Sequence, residues 1–423
     1  MGFPLLLDPM KTARFFRPRV RRKIAKITRS IVCGILCTGM VFTGPVMPLR
    51  AATLYWDSDG TGAGSSSLFT GSGLGGAGTW DTTNARWWDG SAYGIWNNGN
   101  LDTALFWGTA GTVALGTGIT VGGLTFNTTG YTIDNGANTL TFGAANNAIT
   151  LNNIANATIT GAVAGTGNVT LTGGIYGGFT SGILTMNGTS TGGWTGATTI
   201  NNGMTLALSA NNQALLNTSG ITLNGGGITL TNTTTGEAAL NRVSNSAGIT
   251  SNGGSFTWTN TASASINYAE TLGTVDLVSG RLNFTNTNAN SAPSTQVLTL
   301  GGLTRTGAGN VSTVNFSGAS LGANAQNRIL INGQAAGDIG PWATYGASNF
   351  AAYDSTNGVI ASTASTLAAG SNSASTNFDT TSGSITITAS TTSPPFDEPD
   401  PGAPSLGILK RPRPSPIQSS VHQ

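Results

Sequence analysis

The sequence is poor in side chains that could catalyse a reaction, and those it has lie far apart. Its single histidine, His422, is next to the C-terminus, and its two cysteines, Cys33 and Cys37, lie near the N-terminus. A hydroxyl nucleophile needs an adjacent base, most often histidine, so the many serines have no such activator. Two cysteines and one histidine are also too few for a typical structural zinc site. The sequence therefore predicts no catalytic, cofactor-binding or metal-binding residue.

One segment begins like a calcium-binding loop. Asp57 and Asp59 open the stretch Asp57-Ser-Asp-Gly-Thr-Gly62. An EF-hand loop requires a bidentate glutamate at its twelfth position, which is Leu68 in this chain. We therefore interpret the stretch as a glycine-rich turn that binds no metal.

The acidic residues leave a polysaccharide-degrading enzyme as an alternative. Glycoside hydrolases use two carboxylates that lie roughly 5 to 9.5 Å apart. No two acids between residues 53 and 393 are adjacent in the sequence, but Glu237, Glu270 and Asp276 would approach one another if neighbouring coils of a repeat carried them. The same region has no lysine, which disfavours a lyase because a lyase must neutralise its substrate's charge.

The tryptophans suggest carbohydrate binding as a second alternative. Six of the nine lie within residues 53–110, where they are Trp56, Trp80, Trp87, Trp88, Trp96 and Trp107. Flat aromatic faces can stack on sugar rings, and Trp87 and Trp88 are the candidates for such contacts. Large aromatic side chains are mostly buried, however, so we favour a hydrophobic core inside an N-terminal cap.

The elements that must position these residues are short strands separated by turns. Runs of the form apolar, threonine, apolar recur along the chain, as in Leu124-Thr-Phe126, Ile149-Thr-Leu151 and Ile221-Thr-Leu223. This period of two predicts strands with one buried face and one exposed face. Glycine and asparagine separate the runs, and both tolerate the backbone conformations of tight turns. The fold class is therefore predicted to be all-β.

The spacing of the runs predicts stacked coils. Five successive runs are centred on Thr125, Thr132, Thr141, Thr150 and Thr158, which gives steps of 7, 9, 9 and 8 residues. Two or three steps make a coil of roughly 20 to 25 residues, which is within the range of solenoid repeats. Each short strand would pair with the coils above and below, and corner asparagines would form ladders. A β-sandwich, which needs longer strands, is the structural alternative.

Changes in composition predict four segments. Residues 1–52 hold ten of the 18 basic residues, then an apolar run and Arg50-Ala-Ala52, which is the order of a signal peptide cleaved near Ala52. Residues 53–110 are predicted to form the Trp-rich N-terminal cap and residues 111–393 the β-solenoid repeats. Residues 394–423 contain 8 of the 15 prolines and are predicted to be a disordered tail.

The charge of the predicted mature body argues against nucleic acid and anionic membranes as partners. Residues 53–393 contain five arginines and twelve acids, so their formal charge is 5 − 12 = −7. Both cysteines precede this region, so the body has no thiols, which suits an oxidising compartment. We therefore expect a body that is not inserted in a membrane.

Several low-complexity motifs follow one another in a characteristic order. They include Trp56-Asp57, Gly78-Thr-Trp-Asp81, Asp102-Thr-Ala-Leu-Phe106, Val121-Gly-Gly-Leu-Thr-Phe126, Trp194-Thr-Gly-Ala-Thr-Thr-Ile200 and Gly340-Pro-Trp-Ala-Thr-Tyr345. In this order the chain resembles bacterial proteins that carry autotransporter-associated β-strand repeats. The resemblance implies a right-handed parallel β-helix that is exported as a passenger, and it brings no catalytic residues to this chain. Relatives usually continue into further repeats and an anchor, so we interpret the proline-rich end as a truncated or frame-shifted reading.

The predicted function is that of a secreted or cell-surface structural or adhesion protein without catalytic activity. A carbohydrate-binding module and a β-helix polysaccharide-degrading enzyme are the alternatives. Surface glycans or other cell-surface proteins are the expected partners, and the sequence leaves the oligomeric state open.

Overall fold

The computed structural model describes residues 51–61, 71–153, 155–174, 182–190, 192–233, 241–261, 266–289, 294–346 and 348–363. Nearly all of the predicted signal peptide, the whole predicted tail and Glu237 lie outside the described residues.

The described residues form an all-β structure with one extended sheet and a single 3-10 turn at Ala308–Asn310. No helix in the described ranges is long and apolar enough to cross a bilayer. The first thirteen strands are β1 (Thr53–Trp56), β2 (Gly78–Trp80), β3 (Ala85–Trp88), β4 (Tyr93–Ile95), β5 (Thr103–Phe106), β6 (Thr112–Leu115), β7 (Ile119–Val121), β8 (Gly123–Phe126), β9 (Tyr131–Phe142), β10 (Asn146–Leu151), β11 (Ala157–Gly165), β12 (Asn168–Gly173) and β13 (Gly182–Asn187). The later strands are β14 (Gly193–Trp194), β15 (Thr198–Asn201), β16 (Met204–Ser209), β17 (Gly220–Asn224), β18 (Gly227–Asn232), β19 (Gly248–Asn260), β20 (Asn267–Asn288), β21 (Thr295–Thr304), β22 (Thr313–Ser317), β23 (Asn327–Ile331), β24 (Gly337–Asp338), β25 (Ala343–Tyr345), β26 (Asn349–Asp354) and β27 (Gly358–Ala361).

Most strands pair in parallel with strands that lie one coil away in the sequence. One row of residues in register runs through β8, β10, β12, β15 and β17. Its members are Leu124, Ile149, Leu171, Ile200 and Leu223. Their separations are 25, 22, 29 and 23 residues, so the coils are of the predicted length or slightly longer. Parallel pairing at this separation is consistent with a β-solenoid, whereas a β-sandwich is built from antiparallel strands.

Apolar side chains from successive coils merge into a continuous core. Ile228, Phe256, Phe284 and Phe316 form one such row, and all four are fully buried. The rings of Phe284 and Phe316 are stacked, with centroids 5.8 Å apart and an interplanar angle of 9°. The threonines between the apolar positions are only partly buried, as the alternating pattern predicts.

Both ends of the described coils carry antiparallel strands. At one end β3 pairs with β1 and β4. At the other end β26 pairs with β24, β25 and β27. Between these ends the strand pairs of the described residues are parallel. Antiparallel hairpins at the ends occupy backbone groups that an open parallel edge would leave free to pair with another chain.

Tight corners between coils depend on glycine at particular positions. Gly254 has a φ of +127°, and a Cβ atom there would lie 2.2 Å from the carbonyl oxygen of Gly226 on the preceding coil. A larger residue would strain the backbone and separate the two coils. The high glycine content thus follows from close stacking of one backbone on another.

Candidate functional site

The N-terminal tryptophans form a packed cluster. Trp56, Trp80, Trp87 and Trp96, which we call the tryptophan cluster, are each at most 1% exposed. The ring centroids of Trp80 and Trp87 are 4.8 Å apart, and those of Trp87 and Trp96 are 4.7 Å apart. The parallel pairing of β2 with β6 and the β3–β4 hairpin bring these residues together. Trp87 therefore presents no ring face to a sugar, and this part of the carbohydrate-binding alternative is wrong.

Trp88 differs from its neighbour because side chains alternate across a strand. It is only partly buried, and its ring lies 5.0 Å from that of Tyr93 on β4 at an angle of 48°. The Tyr93 hydroxyl donates hydrogen bonds to the Asp57 carboxylate and to the carbonyl of Thr61, the second at 2.9 Å. The hairpin thus presents a partly exposed aromatic pair.

An open cavity of about 340 Å³ lies beside this hairpin. Its lining includes Ala52, Asp89, Tyr93, Asn100 and Asp102. Asp89 is bound to its own turn, where its carboxylate accepts hydrogen bonds from the backbone N–H groups of Ser91 and Ala92, both at 2.7 Å. These hydrogen bonds hold the pKa of Asp89 below its ordinary value. The cavity therefore combines an aromatic ring, an amide and carboxylates, which is a lining suited to hydroxyl-rich or cationic ligands.

The segment that resembles a calcium loop is closed on itself. Asp57 is buried, and its carboxylate accepts the Tyr93 hydroxyl and, at 3.4 Å, the Asp59 N–H. Asp59 accepts the N–H and the hydroxyl of Thr61 at 2.8 and 3.0 Å. Burial raises the pKa of Asp57, and the Tyr93 hydrogen bond opposes this rise. Within the described residues no three His, Cys, Asp or Glu side chains are grouped so that they could hold a metal ion.

A buried charged pair lies at Arg242 and Glu270. The Glu270 carboxylate is 2% exposed and accepts the backbone N–H groups of Arg242 at 3.2 Å and Val243 at 3.1 Å. Burial raises the Glu270 pKa to about 7, although these hydrogen bonds and the Arg242 charge favour the ionised form. The Arg242 guanidinium is equally buried and donates to the carbonyl of Thr231 at 2.9 Å and to the side chain of Asn232.

Two of the three carboxylates considered for hydrolysis, Glu270 and Asp276, do not share an exposed site. Glu270 is buried, whereas Asp276, on the same strand β20, has a partly exposed side chain. Asp276 accepts hydrogen bonds from the hydroxyls of Thr304 at 3.0 Å and Thr306 at 2.5 Å. Glu237 lies outside the described residues. Glu270 and Asp276 therefore lack the common exposed cleft that a hydrolase requires.

Asparagine side chains connect successive coils along one corner. Asn224 donates to the amide oxygen of Asn201 at 3.0 Å, and Asn252 donates to that of Asn224 at 2.9 Å. Thr172 and Ser279 extend this row at its two ends, with hydrogen bonds of 3.2 Å each. We call Asn201, Asn224 and Asn252 the amide ladder, and it confirms the predicted asparagine stacking.

Part of the chain has a recognisable relative. It aligns over 204 residues, at 40% identity, with the Adhesin BmaC autotransporter of Brucella suis biovar 1 (strain 1330). The chain is similar to an autotransporter adhesin. The alignment covers 45% of this chain and 5% of the adhesin, so the chain spans a small part of that relative's length. No protein-family profile and no solved structure matches the chain.

The similarity supports a relation to autotransporter passengers and is consistent with a surface protein of the adhesin type. The particular repeat family inferred from the motifs stays a prediction.

The sequence analysis named Glu270 and Asp102 but did not predict that both side chains are buried. Glu270 lies 28 residues after Arg242, which is one coil length, so a known coil phase would have placed them together. Asp102 directly precedes β5, and β5 pairs with β1, which begins one residue after Ala52. In both cases the strand register would have predicted the burial, and the sequence alone does not give the register.

Proposed function

We propose that the chain is part of an exported cell-surface passenger whose coils extend an adhesive surface away from the cell. The proposed architecture is a right-handed parallel β-helix that the tryptophan cluster caps at its N-terminal end. Parallel pairing at one-coil separation, together with 40% identity to an autotransporter adhesin over 204 residues, supports this proposal. Folding requires no thiol, because both cysteines lie in the predicted signal peptide.

The composition of the exposed face suits contact without catalysis. Threonine and asparagine recur at outward positions on many of the described strands, so weak hydrogen-bonding contacts can be multiplied along the column. Many weak contacts on one rigid support bind strongly by avidity. A non-catalytic role is part of the proposal, and the separation of Glu270 from Asp276 supports it.

Export is tested by expressing residues 1–423 in a Gram-negative host. We expect antibody to label intact cells, and external protease to remove the label while a cytoplasmic marker survives. Deletion of residues 1–50 is the matched control and should leave the protein inside the cell. Full protection from protease in intact cells, with no protein in the medium, would contradict the proposal.

Adhesion is tested with purified protein that begins at Ala52. We expect saturable binding to surfaces coated with glycans or matrix glycoproteins, increasing steeply when the protein is displayed on beads. Incubation with plant and bacterial polysaccharides should release no reducing or unsaturated sugar. Sugar release would restore the enzyme alternative.

Glycan contact at Trp88 is a second candidate function. The partly exposed Trp88–Tyr93 pair next to the open cavity supports it. Trp88→Ala should weaken binding on a glycan array at least tenfold. Val311→Ala is the matched control because Val311 is 66% exposed on a distant part of the chain. Equal binding by both variants would mean that the adhesive surface lies outside the β3–β4 hairpin.

A further inference from the structure

Asp102 is a buried carboxylate that accepts only neutral donors within the described residues. Its side chain is 3% exposed. One oxygen accepts the backbone N–H of Ala52 at 2.7 Å, and the other accepts the side-chain amide of Asn100 at 3.3 Å. A buried carboxylate is costly unless a positive charge or several hydrogen bonds compensate it. Two neutral donors, one of them at 3.3 Å, offset the cost of burying the Asp102 charge only in part.

Strand pairing fixes the position of Ala52 beside this carboxylate. Thr53 is opposite Thr103 in the parallel pair of β1 and β5. The Thr103 N–H donates to the Ala52 carbonyl at 2.8 Å, so both the carbonyl and the nitrogen of Ala52 are held. Ala51 and Ala52 are themselves exposed. The pairing of β1 with β5 therefore holds the nitrogen of Ala52 at Asp102.

The predicted signal peptide ends at this same place. Small residues at Ala51 and Ala52 make the bond after either one a candidate for cleavage. Cleavage after Ala52 would remove the residue whose N–H Asp102 accepts. Cleavage after Ala51 would leave that nitrogen in place and convert it from a neutral amide into an ammonium group.

We propose that signal peptidase cleaves between Ala51 and Ala52 and that Asp102 binds the new N-terminal ammonium as an ion pair. In the hydrolysis, water breaks the bond between the Ala51 carbonyl carbon and the Ala52 nitrogen. The hydroxyl joins that carbon, which leaves the signal peptide as a carboxylate, and the nitrogen becomes protonated. Processing thus supplies the cation that Asp102 lacks. This inference depends on the export proposed above, but the pairing itself can be measured separately.

The first experiment identifies the N-terminus of the exported protein. Residues 1–423 are expressed in a Gram-negative host, and the protein recovered from the cell surface or medium is sequenced from its N-terminus. We expect Ala52 as the first residue. A chain that begins at any other residue, before or after Ala52, overturns the proposal. Absence of export would count against the proposed function, while the second experiment would still decide the pairing.

The second experiment neutralises the ammonium without changing Asp102. Lys410 is the sole lysine after Ala51, so Lys410→Arg leaves the α-amine as the single primary amine. Protein that begins at Ala52 is prepared by removing a cleavable tag, and half is acetylated. We expect acetylation to move the urea midpoint to a lower concentration and to increase the unfolded fraction at least tenfold. Equal midpoints would overturn the proposal.

Asp102→Asn provides the test of specificity. In that variant the free and acetylated forms should unfold at the same urea concentration, because the carboxylate that distinguishes them is gone. If Asp102→Asn does not fold, a chain extended by Gly-Gly before Ala52 replaces it. The extension displaces the ammonium from Asp102 while keeping its charge, so it should lower the midpoint as acetylation does. A midpoint unchanged by both acetylation and extension contradicts the ion pair.

Discussion

The N-terminal block and the coils around β18 to β23 have different interiors. The first is filled by aromatic side chains, and the second contains several buried polar side chains. Four indole rings occupy the first interior, and their stability comes from buried area and ring packing. In the second interior, buried polar side chains interrupt the apolar rows. We call Asn232, Arg242, Glu270, Gln296 and Asn327 the interior polar group, and each is at most 2% exposed.

The interior polar group is stabilised by directional bonds. Gln296 donates to the carbonyl of Trp258 at 3.1 Å and to the side chain of Asn286 at 2.5 Å. Asn327 donates to the carbonyls of Asn286 at 2.6 Å and Ala319 at 2.8 Å. The comparison shows that parallel backbone pairing sets the frame and that either apolar or polar side chains can fill it, although Oε1 of Gln296 and Oδ1 of Asn327 accept no hydrogen bond among the described residues.

The largest expected effect is the loss of an indole from the tryptophan cluster. Trp80→Ala leaves a cavity among Trp87, Trp96 and Phe106, so we expect it to lower the free energy of unfolding by about 3–5 kcal/mol in urea denaturation. Trp88→Ala, on the exposed side of the neighbouring strand, should cost about 1 kcal/mol or less. Similar losses in the two variants would mean that the cluster is not a tightly packed core.

The next largest effect is a pH dependence of stability that comes from Glu270 in the interior polar group. The folded-state pKa of Glu270, about 7, exceeds its ordinary value of 4.5, so between these values the folded chain retains a proton that the unfolded chain has lost. Stability therefore falls as pH rises through this window, by about 3 kcal/mol in total. Urea midpoints measured from pH 4.5 to 8 should show the decline.

Glu270→Gln removes the titrating group and should flatten this decline while the tryptophan cluster keeps its stability. Asp276→Asn changes a partly exposed carboxylate on the same strand, so it should leave the decline in place. A decline that survives Glu270→Gln would assign the pH dependence to another group.

A smaller effect tests the close stacking of backbones. Gly254→Ala combines a positive φ with a clash against the Gly226 carbonyl, so it should cost about 2–3 kcal/mol. Gly333→Ala has a φ of +76° but no atom within 4 Å of the added Cβ, so it isolates the backbone strain at about 1 kcal/mol. Equal losses, measured by urea denaturation, would show that Gly226 and Gly254 can separate freely.

The smallest effect concerns the amide ladder. Asn224→Ala breaks hydrogen bonds to Asn201 and Asn252, so we expect a loss of about 1 kcal/mol. Asn349→Ala removes an exposed amide outside the ladder and should change stability by less than about 0.5 kcal/mol. A double-mutant cycle between Asn224 and Asn252 gives the coupling free energy of the two side chains directly. A coupling of zero would mean that their hydrogen bond does not contribute to stability.

The sequence predicts which side chains of a strand are buried and which are exposed, but it does not predict the register in which strands pair. Leu124-Thr-Phe126 and Ile149-Thr-Leu151 were predicted as strands and are parts of β8 and β10. Strand pairing depends on coil lengths that vary from 20 residues between Thr103 and Gly123 to 32 residues between Arg281 and Thr313, and no local sequence pattern predicts them. The Glu270 carboxylate is buried against the backbone N–H of Arg242, 28 residues earlier, and only the stacking of coils brings the two together. The same is true of Asp102, which becomes notable when β5 pairs with β1.

Parallel pairing from coil to coil also determines how this architecture can change in length. A strand recognises the backbone of its neighbour and only a few of its side chains, so a complete turn copied from elsewhere in the column would find matching partners on both sides. Each added turn would lengthen the column by roughly 4.8 Å and leave the rest of the chain in register. Duplication and deletion of whole turns are therefore a route by which such proteins can reach further without redesigning their fold.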